Sequence, residues 1–496
     1  MSPIVNGRLI STISLILAVC SCSTPTSRMM EIVAQYEQSG LMNGSILVAQ
    51  GNSILIHRMM GYADLDSMQP FDSDTKFRIA SLTKPMTAYL IHRLIQEGSV
   101  FKDSSITYYL PEFSLDGAES INISHLLHHS SGLISSLKAE IEKQLEQQPH
   151  QLDQLVEYAA EAPLKFAPGS EFSYSNFGYA LLARIAEVVT NKRYNRLVEE
   201  YIFKPAGMDN TLAWSSSEKG PNQATGYEYD LLAGYQGSSP LDLSYATGYG
   251  NILSTPHDLM HFIEYISQNS IDGWDTSSPG TVNSLGWFVQ TIEFQDHQGS
   301  LEYFEHSGSI NGFGAHMLFA PTEDLSIIVL KNFRSNNYLQ PVYASALSKA
   351  LLLAYLDEKV HPVRRSIALD LALHIGSGDK NLDSCYHSLK DNSRFEYNLD
   401  ESELNKLGIE LLFKYDSPQL AAQLFRTNMY QYPTSYNVYD SYAYALLASG
   451  DSLEAIKAYR KGFKVFEGTA LKDRSGQDIE NYKTAKSKLE HLLPDS

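Results

Sequence analysis

The sequence predicts a mixed α/β (α+β) protein. An antiparallel sheet is flanked by helices, an all-helical subdomain is inserted into it, and an α-helical repeat tail follows. Three observations lead there. Two β-branched apolar runs flank Gly51-Asn52 near the start of the chain, residues 120–190 carry helical patterning, and residues 301–333 return to strand-like runs. A sheet drawn from both ends of one domain, with helices between, accounts for that order.

Residues 1–22 read as a signal peptide. Arg8 supplies a weak positive charge, Leu9 to Val19 is a short apolar run, and Cys20-Ser21-Cys22-Ser23 follows. The run is too short for a comfortable membrane span and suits a secretory signal. It is also similar to a bacterial lipoprotein signal, in which a small residue precedes the cysteine that becomes lipidated. Ser21 before Cys22 fits that pattern, and bulky Val19 before Cys20 does not. Cys22 is therefore the candidate lipidation site, and an exported protein of the periplasm or a lipid-anchored one is expected. No later stretch approaches the ~20 apolar residues of a spanning helix.

Residues 24 to about 30 read as a Ser/Thr/Pro tether, with a helix from Met30. The runs around Gly51-Asn52 form a hairpin, since that dipeptide accepts the turn's positive φ. A helix is predicted from Ser81 to about Glu97, stopped by Gly98, with Pro85 in its first turn, where a missing N–H costs little. The helical middle is broken at Pro163 and Pro168-Gly169. Another helix opens at Ser254-Thr255-Pro256-His257-Asp258, with a hydroxyl cap, proline at the first position and an acid in the electropositive first turn. These elements place a main domain at 30–350 and a helical tail at 360–496.

In the tail, residues 403–466 read as two helical pairs. Leu420-Ala421-Ala422 answers Glu454-Ala455-Ile456, and Phe425 answers Tyr459. A period of about 34 residues with small residues at the helix contacts resembles the tetratricopeptide repeat. Two units are fewer than a free-standing solenoid needs, so they are expected to pack on the main domain or on a partner protein.

The 496 residues carry a formal charge of −19. Such a surface repels phosphate backbones, and no dense Lys/Arg cluster offsets it, so nucleic acid is excluded as a partner. The cysteines are Cys20, Cys22 and Cys385, which leaves one in the body of the protein. That rules out a disulfide framework and a cysteine-based zinc site, and no HExxH spacing is present. Neither metal nor cofactor is expected.

The chemistry starts at Ser81-Leu82-Thr83-Lys84. Positions three apart share a helix face, so the hydroxyl and the amine can lie side by side. A serine becomes nucleophilic once a base takes its proton, and a lysine serves when its pKa is lowered. The helix N-terminus adds N–H groups where an oxyanion develops. The same spacing recurs at Ser135–Lys138, Ser216–Lys219 and Ser377–Lys380, but only Ser81 follows a strand-like run and opens a long amphipathic helix. Tyr174-Ser175-Asn176 offers a phenol to share the base role and an amide to orient a carbonyl. Tyr249-Gly250-Asn251 repeats the spacing in a Gly-rich stretch that reads as a loop. In His306-Ser307-Gly308-Ser309, Gly308 admits close backbone approach. The N–H of Ser309 can complete an oxyanion hole with that of Ser81, and His306 is read as a polarising donor or a positive neighbour.

Together these segments resemble the serine beta-lactamase and D,D-peptidase superfamily, whose motifs include S-x-x-K. FRIASLTKPMTAYLIHRLIQEG looks like its nucleophile helix, and ISHLLHHSSGL (123–133) like its helix-and-turn signature. FAPGSEFSYSNFGYALLARIAE looks like its Tyr-x-Asn segment, GYGNILSTPHDLMHF like the segment under the site, and HSGSINGFGAHMLFAPTEDLSIIVLKN like its third motif and last strands. The likeness runs to the branch holding class C beta-lactamases, D-alanyl-D-alanine carboxypeptidases, D-aminopeptidases and esterases. It implies Ser81 as the acylated nucleophile, Lys84 and Tyr174 as the general-base pair and Asn176 as substrate-orienting. It also implies that His306, Gly308 and Ser309 bind substrate at the third motif. The expected activity is hydrolysis of an ester, amide or D-amino-acid peptide through an acyl-enzyme, on a small-molecule or peptide substrate. A slow penicillin-binding or peptide-binding sensor of the same fold is the alternative. One departure stands out: histidine replaces the lysine of class C enzymes at position 306. That puts vigorous penicillin turnover in question, because an unperturbed imidazole is largely neutral at pH 7.

Overall fold

The computed structural model describes residues 24–40, 42–135, 148–269, 282–283, 285–294, 298–334, 344–361, 364–379, 381–392, 397–470 and 476–492. Cys22 and the signal segment lie outside them, as does Lys138.

Six antiparallel strands form the main sheet: β1 (Gly44–Gln50), β2 (Ser53–Met60), β3 (Phe288–Glu293), β4 (Ser300–Ile310), β5 (Phe313–Ala320) and β6 (Leu325–Lys331). Their spatial order is β3-β4-β5-β6-β1-β2, so β1 inserts between β2 and β6 and the two ends of the domain meet. The β1–β6 register runs from Gly44 opposite Lys331 to Gln50 opposite Leu325. Both strands are apolar on both faces because both faces are covered. Ile46, Val48, Ile327 and Val329 pack against Met29 and Val33 of α1 (Pro25–Gln38) and Leu347 and Leu351 of a later helix. Leu47, Ala49, Ile328 and Leu330 share a second core with Leu82, Met86 and Leu90 at α2 (Thr83–Gln96). The strand alternation that sends neighbours to opposite faces is thus used twice.

The segment at 24–30 is helical rather than a tether. Thr24 Oγ1 accepts from the Ser27 N–H at 3.1 Å and Pro25 sits at the first position, so the Thr-Pro pair read as linker starts α1. The helical block includes Ile123–Leu127, Leu152–Ala159 and α3 (Asn176–Thr190); the proline-bearing stretch from Pro163 to Ser175 is irregular. The helix at Ser254–Asp258 forms as α4 (Pro256–Gln268), capped by Thr255. The helix carrying Leu347 is α5 (Ala344–Tyr355).

The tail comprises α6 (Ile367–Gly376), α7 (Leu382–Asn392), α8 (Glu401–Phe413), α9 (Pro418–Gln431), α10 (Tyr436–Ala448), α11 (Ser452–Gly468) and α12 (Gly476–Leu492). From α8 to α11 each helix packs on the next. Ala421 and Ala455 are both fully buried, as are Phe425 and Tyr459. The tail is docked on the main domain. A hairpin of the latter, Tyr227–Asp230 and Gly234–Gly237, sends Leu231 into the tail core. Tyr415 donates to Asp230 Oδ2 at 2.9 Å, and Arg365 bridges Asp370 and the Ser39 carbonyl. The same hairpin holds the β4–β5 turn, since the Gly312 N–H donates to Glu228 Oε1 at 2.8 Å. No helix among the described residues is long and apolar enough to cross a membrane.

Candidate active site

Ser81 lies in a 3₁₀ turn (Ala80–Leu82) that feeds α2, not in the first turn of the α-helix itself. Ala80 has φ +48°, a left-handed conformation that a side chain adopts only under constraint. The turn sets Ser81 at the mouth of α2 and Lys84 one turn deeper. Lys84 Nζ donates to Ser81 Oγ at 2.9 Å and to the Tyr249 carbonyl at 3.3 Å. Lys84 is 0% exposed, and this desolvation holds its pKa well below the lysine range. The amine lies 4.7 Å from the ring of Tyr174 and 5.3 Å from that of Tyr249.

Tyr174 approaches from the irregular segment before α3. Burial pushes its phenol upward, while a hydrogen bond with Ser81 pulls the other way. Its backbone is fixed from the next residue. Ser175 caps α3 by accepting from the Gly178 N–H at 3.1 Å, and its own N–H donates to His129 Nδ1 at 3.0 Å. His129 is buried with φ +54°, and its ring centroid lies 4.4 Å from that of Tyr174. Desolvation, with Lys84 and His306 adding, depresses its pKa well below the imidazole range. Asn176 opens α3, half-buried, and its backbone N–H donates to the Ser135 carbonyl at 3.4 Å.

The third wall is β4. Along it His306, Gly308 and Ile310 turn inward while Ser307 and Ser309 are exposed. β3 pairs β4 only from Ser300 to Glu305, so the edge beyond is left for other contacts. Gly308 presses on the turn that carries Ser81: a Cβ there would stand 2.2 Å from the Ile79 carbonyl oxygen and 3.3 Å from Ala80 Cβ. That contact sets the spacing between the backbones of Ser81 and Ser309. His306 is 2% exposed, beside the rings of Phe288 (5.5 Å) and Tyr174 (6.3 Å). Burial, with Lys84 adding, lowers its pKa to about 3. That direction favours the neutral imidazole over a positive neighbour. Its Nδ1 bonds the Ser307 carbonyl at 2.8 Å, so its one N–H is already committed and it is no free polarising donor.

The structure therefore brings Ser81, Lys84 and Tyr174 together and places His306, Gly308 and Ser309 against them. Sequence reasoning missed two members. Tyr249, set aside as a loop residue, is in a loop, but it holds Lys84 through its carbonyl. His129 carried one signal, its place just before the glycine-bearing turn at 130–132. Ser377 lies on the tail. Among the described residues one His/Cys/Asp grouping has ligand atoms within 4.8 Å of one another: His374, Asp379 and Cys385, also on the tail.

The family model for beta-lactamase matches residues 30–347. Protein flp of Staphylococcus aureus (strain MW2) is 27% identical over 320 residues, which cover 60% of this chain and 61% of flp. The chain thus spans about three fifths of the length of that relative. Penicillin-binding protein 4* of Bacillus subtilis (strain 168) is 27% identical over 365 residues, covering 67% of this chain and 77% of the relative. The structure of D-amino acid amidase from Ochrobactrum anthropi SV3, complexed with L-phenylalanine amide, superposes with a TM-score of 0.57 at 24% identity, covering 67% of this chain and 97% of that one. A superposition at that identity speaks to the fold. The match to the family model extends over more than half of the chain and includes every element around Ser81, and the chain belongs to the beta-lactamase family, within the beta-lactamase and transpeptidase-like serine hydrolases.

Proposed function

We propose that the protein is a serine hydrolase acting through an acyl-enzyme on an ester, an amide or a D-amino-acid peptide. The observation that carries the reading is the 2.9 Å contact between Ser81 Oγ and an amine whose charged form burial disfavours. A neutral Lys84 takes the Ser81 proton as Oγ attacks the substrate carbonyl. The N–H groups of Ser81 and Ser309 receive the developing oxyanion. Tyr174, bonded to Ser81, relays the proton to the leaving group, and Asn176 orients the substrate. Water then enters by the reverse path and frees Ser81. The names of the relatives, a penicillin-binding protein and an amidase for D-amino acids, support acyl transfer as the reaction class.

Replacing Ser81 by alanine is expected to abolish covalent labelling by a fluorophosphonate. Labelling that persists would overturn the nucleophile. Parallel assays with nitrocefin, a short-chain nitrophenyl ester and a D-Ala-D-Ala peptide identify the substrate class.

Two further parts of the reading rest on sequence. The protein is exported and anchored through a lipid on Cys22. The tail forms tetratricopeptide-like repeats that take a protein or peptide partner; the equal burial of positions one repeat apart supports the repeat reading.

A further inference from the structure

A second cluster of reactive side chains sits on the tail, at the corner between α6 and α7. His374 comes from the last turn of α6, Asp379 from the connecting turn and Cys385 from α7. Asp379 Oδ2 lies 2.8 Å from His374 Nδ1 and accepts from Cys385 Sγ at 3.7 Å, and the three ligand atoms fall within 4.8 Å of one another. Around a tetrahedral zinc ion, bonds of about 2.0–2.3 Å put nitrogen, oxygen and sulfur about 3.3–3.6 Å apart. The three atoms bracket that spacing.

The backbone holds them there. The Gly378 N–H donates to the Ile375 carbonyl and the Asp379 N–H to the His374 carbonyl, both at 3.0 Å. Asn381 Oδ1 accepts from the Ser384 N–H at 3.2 Å at the start of α7. Ile375 and Tyr386, next in sequence to His374 and Cys385, are buried in the tail core and fix the two helices. The corner also lies at the C-terminal end of a ten-residue helix, where the dipole favours a cation. A single cysteine counted against a metal in the sequence; the fold adds an imidazole and a carboxylate to it.

We propose that His374, Asp379 and Cys385 bind a divalent transition-metal ion of the zinc class. Imidazole and thiolate suit such an ion, whereas magnesium and calcium take oxygen ligands. On binding, the Cys385 thiol gives its proton to solvent and coordinates as the thiolate, and the imidazole coordinates in its neutral form. Three protein ligands leave a fourth position for water. The ion ties α6 to α7 beside Gly376, where a Cβ would stand 1.9 Å from the Leu232 carbonyl oxygen of the hairpin. It therefore fastens the corner on which that hairpin is seated.

The test titrates cobalt(II) into the full chain, reduced and stripped with EDTA. The wild-type protein is expected to develop a thiolate-to-cobalt charge-transfer band in the near-ultraviolet that saturates at one ion per chain and is displaced by zinc. Cys385→Ser is expected to lack the band, and His374→Gln and Asp379→Asn each to weaken cobalt binding at least tenfold. Melting in EDTA, where each variant should match the wild type, checks that the fold is kept. Zinc is expected to raise the melting temperature of the wild type but not of Cys385→Ser, and magnesium or calcium to leave both unchanged. Absence of the band would overturn the site. So would a band that survives Cys385→Ser, which places it on Cys20 or Cys22, or an affinity unchanged in both His374→Gln and Asp379→Asn, which leaves a thiol binding alone.

Discussion

Gly308→Ala is the sharpest test of how the site is held. The new Cβ would lie 2.2 Å from the Ile79 carbonyl oxygen, 3.1 Å from its carbon and 3.3 Å from Ala80 Cβ. These are mainly backbone atoms on a strained turn, so no flexible side chain can swing aside. Restoring ordinary contact at 3.4 Å requires β4 and the Ser81 turn to part by about 1.2 Å. The N–H groups of Ser81 and Ser309 would separate with them. Misplacement of about 1 Å in a catalytic constellation costs on the order of 100-fold. The overpacking itself costs about 1–3 kcal/mol of stability. Gly314 supplies the control. It lies opposite Ser309 on β5, and among the described residues a Cβ there would meet only the Phe333 carbonyl oxygen, at 3.9 Å. With ester hydrolysis normalised to titrated sites, Gly308→Ala is expected to lose at least about 100-fold in kcat/KM, and Gly314→Ala to stay near wild type. A Gly308→Ala enzyme with rates close to those of Gly314→Ala would refute the argument that this contact sets the oxyanion geometry.

Three other outcomes are expected. Lys84→Met should abolish acylation yet raise the melting temperature at pH 7. The folded state disfavours the charged form of Lys84, while the unfolded chain binds a proton below its ordinary value of 10.5. The wild type is therefore penalised as pH falls below that value, and the gap in thermal melts should close above pH 10.5. His129→Phe keeps a ring behind Tyr174 but leaves the Ser175 N–H unpaired. It should lower stability by about 1–3 kcal/mol in urea unfolding and depress kcat, whereas an unchanged midpoint would show that the bond to His129 contributes nothing. Cys22→Ser should move the protein from the detergent phase to the aqueous phase in Triton X-114 partitioning; a wild-type protein already in the aqueous phase would discard the anchor.

The sheet was readable because its instructions are local. The runs of β1 and β6 are continuous and β-branched, and the turn at Gly51-Asn52 declares itself. The pairing of Ser81 with Lys84 was readable because helix geometry carries residue i to i+3 whatever surrounds it. The start of α1 was missed because Ser, Thr and Pro mark both linkers and helix caps, and only the bond from Ser27 to Thr24 tells them apart. The role of His306 stayed open because its surroundings, Phe288, Tyr174 and Lys84, come from three separate segments. Tyr249 was passed over because it acts through its carbonyl, a group every residue has. The 3₁₀ turn at Ala80 packs against Gly308, a contact more than two hundred residues away in the chain that no local pattern announces.

The hairpin at Tyr227–Gly237 belongs to two cores at once. Its Leu231 is buried among tail helices, while Glu228 holds Gly312 at the end of the strand that bears Ser309. The tail therefore cannot lift away without exposing an apolar side chain of the main domain and loosening the turn behind the oxyanion position. Heating should register this as cooperativity, one calorimetric transition with activity lost along it, where two independent domains would give two.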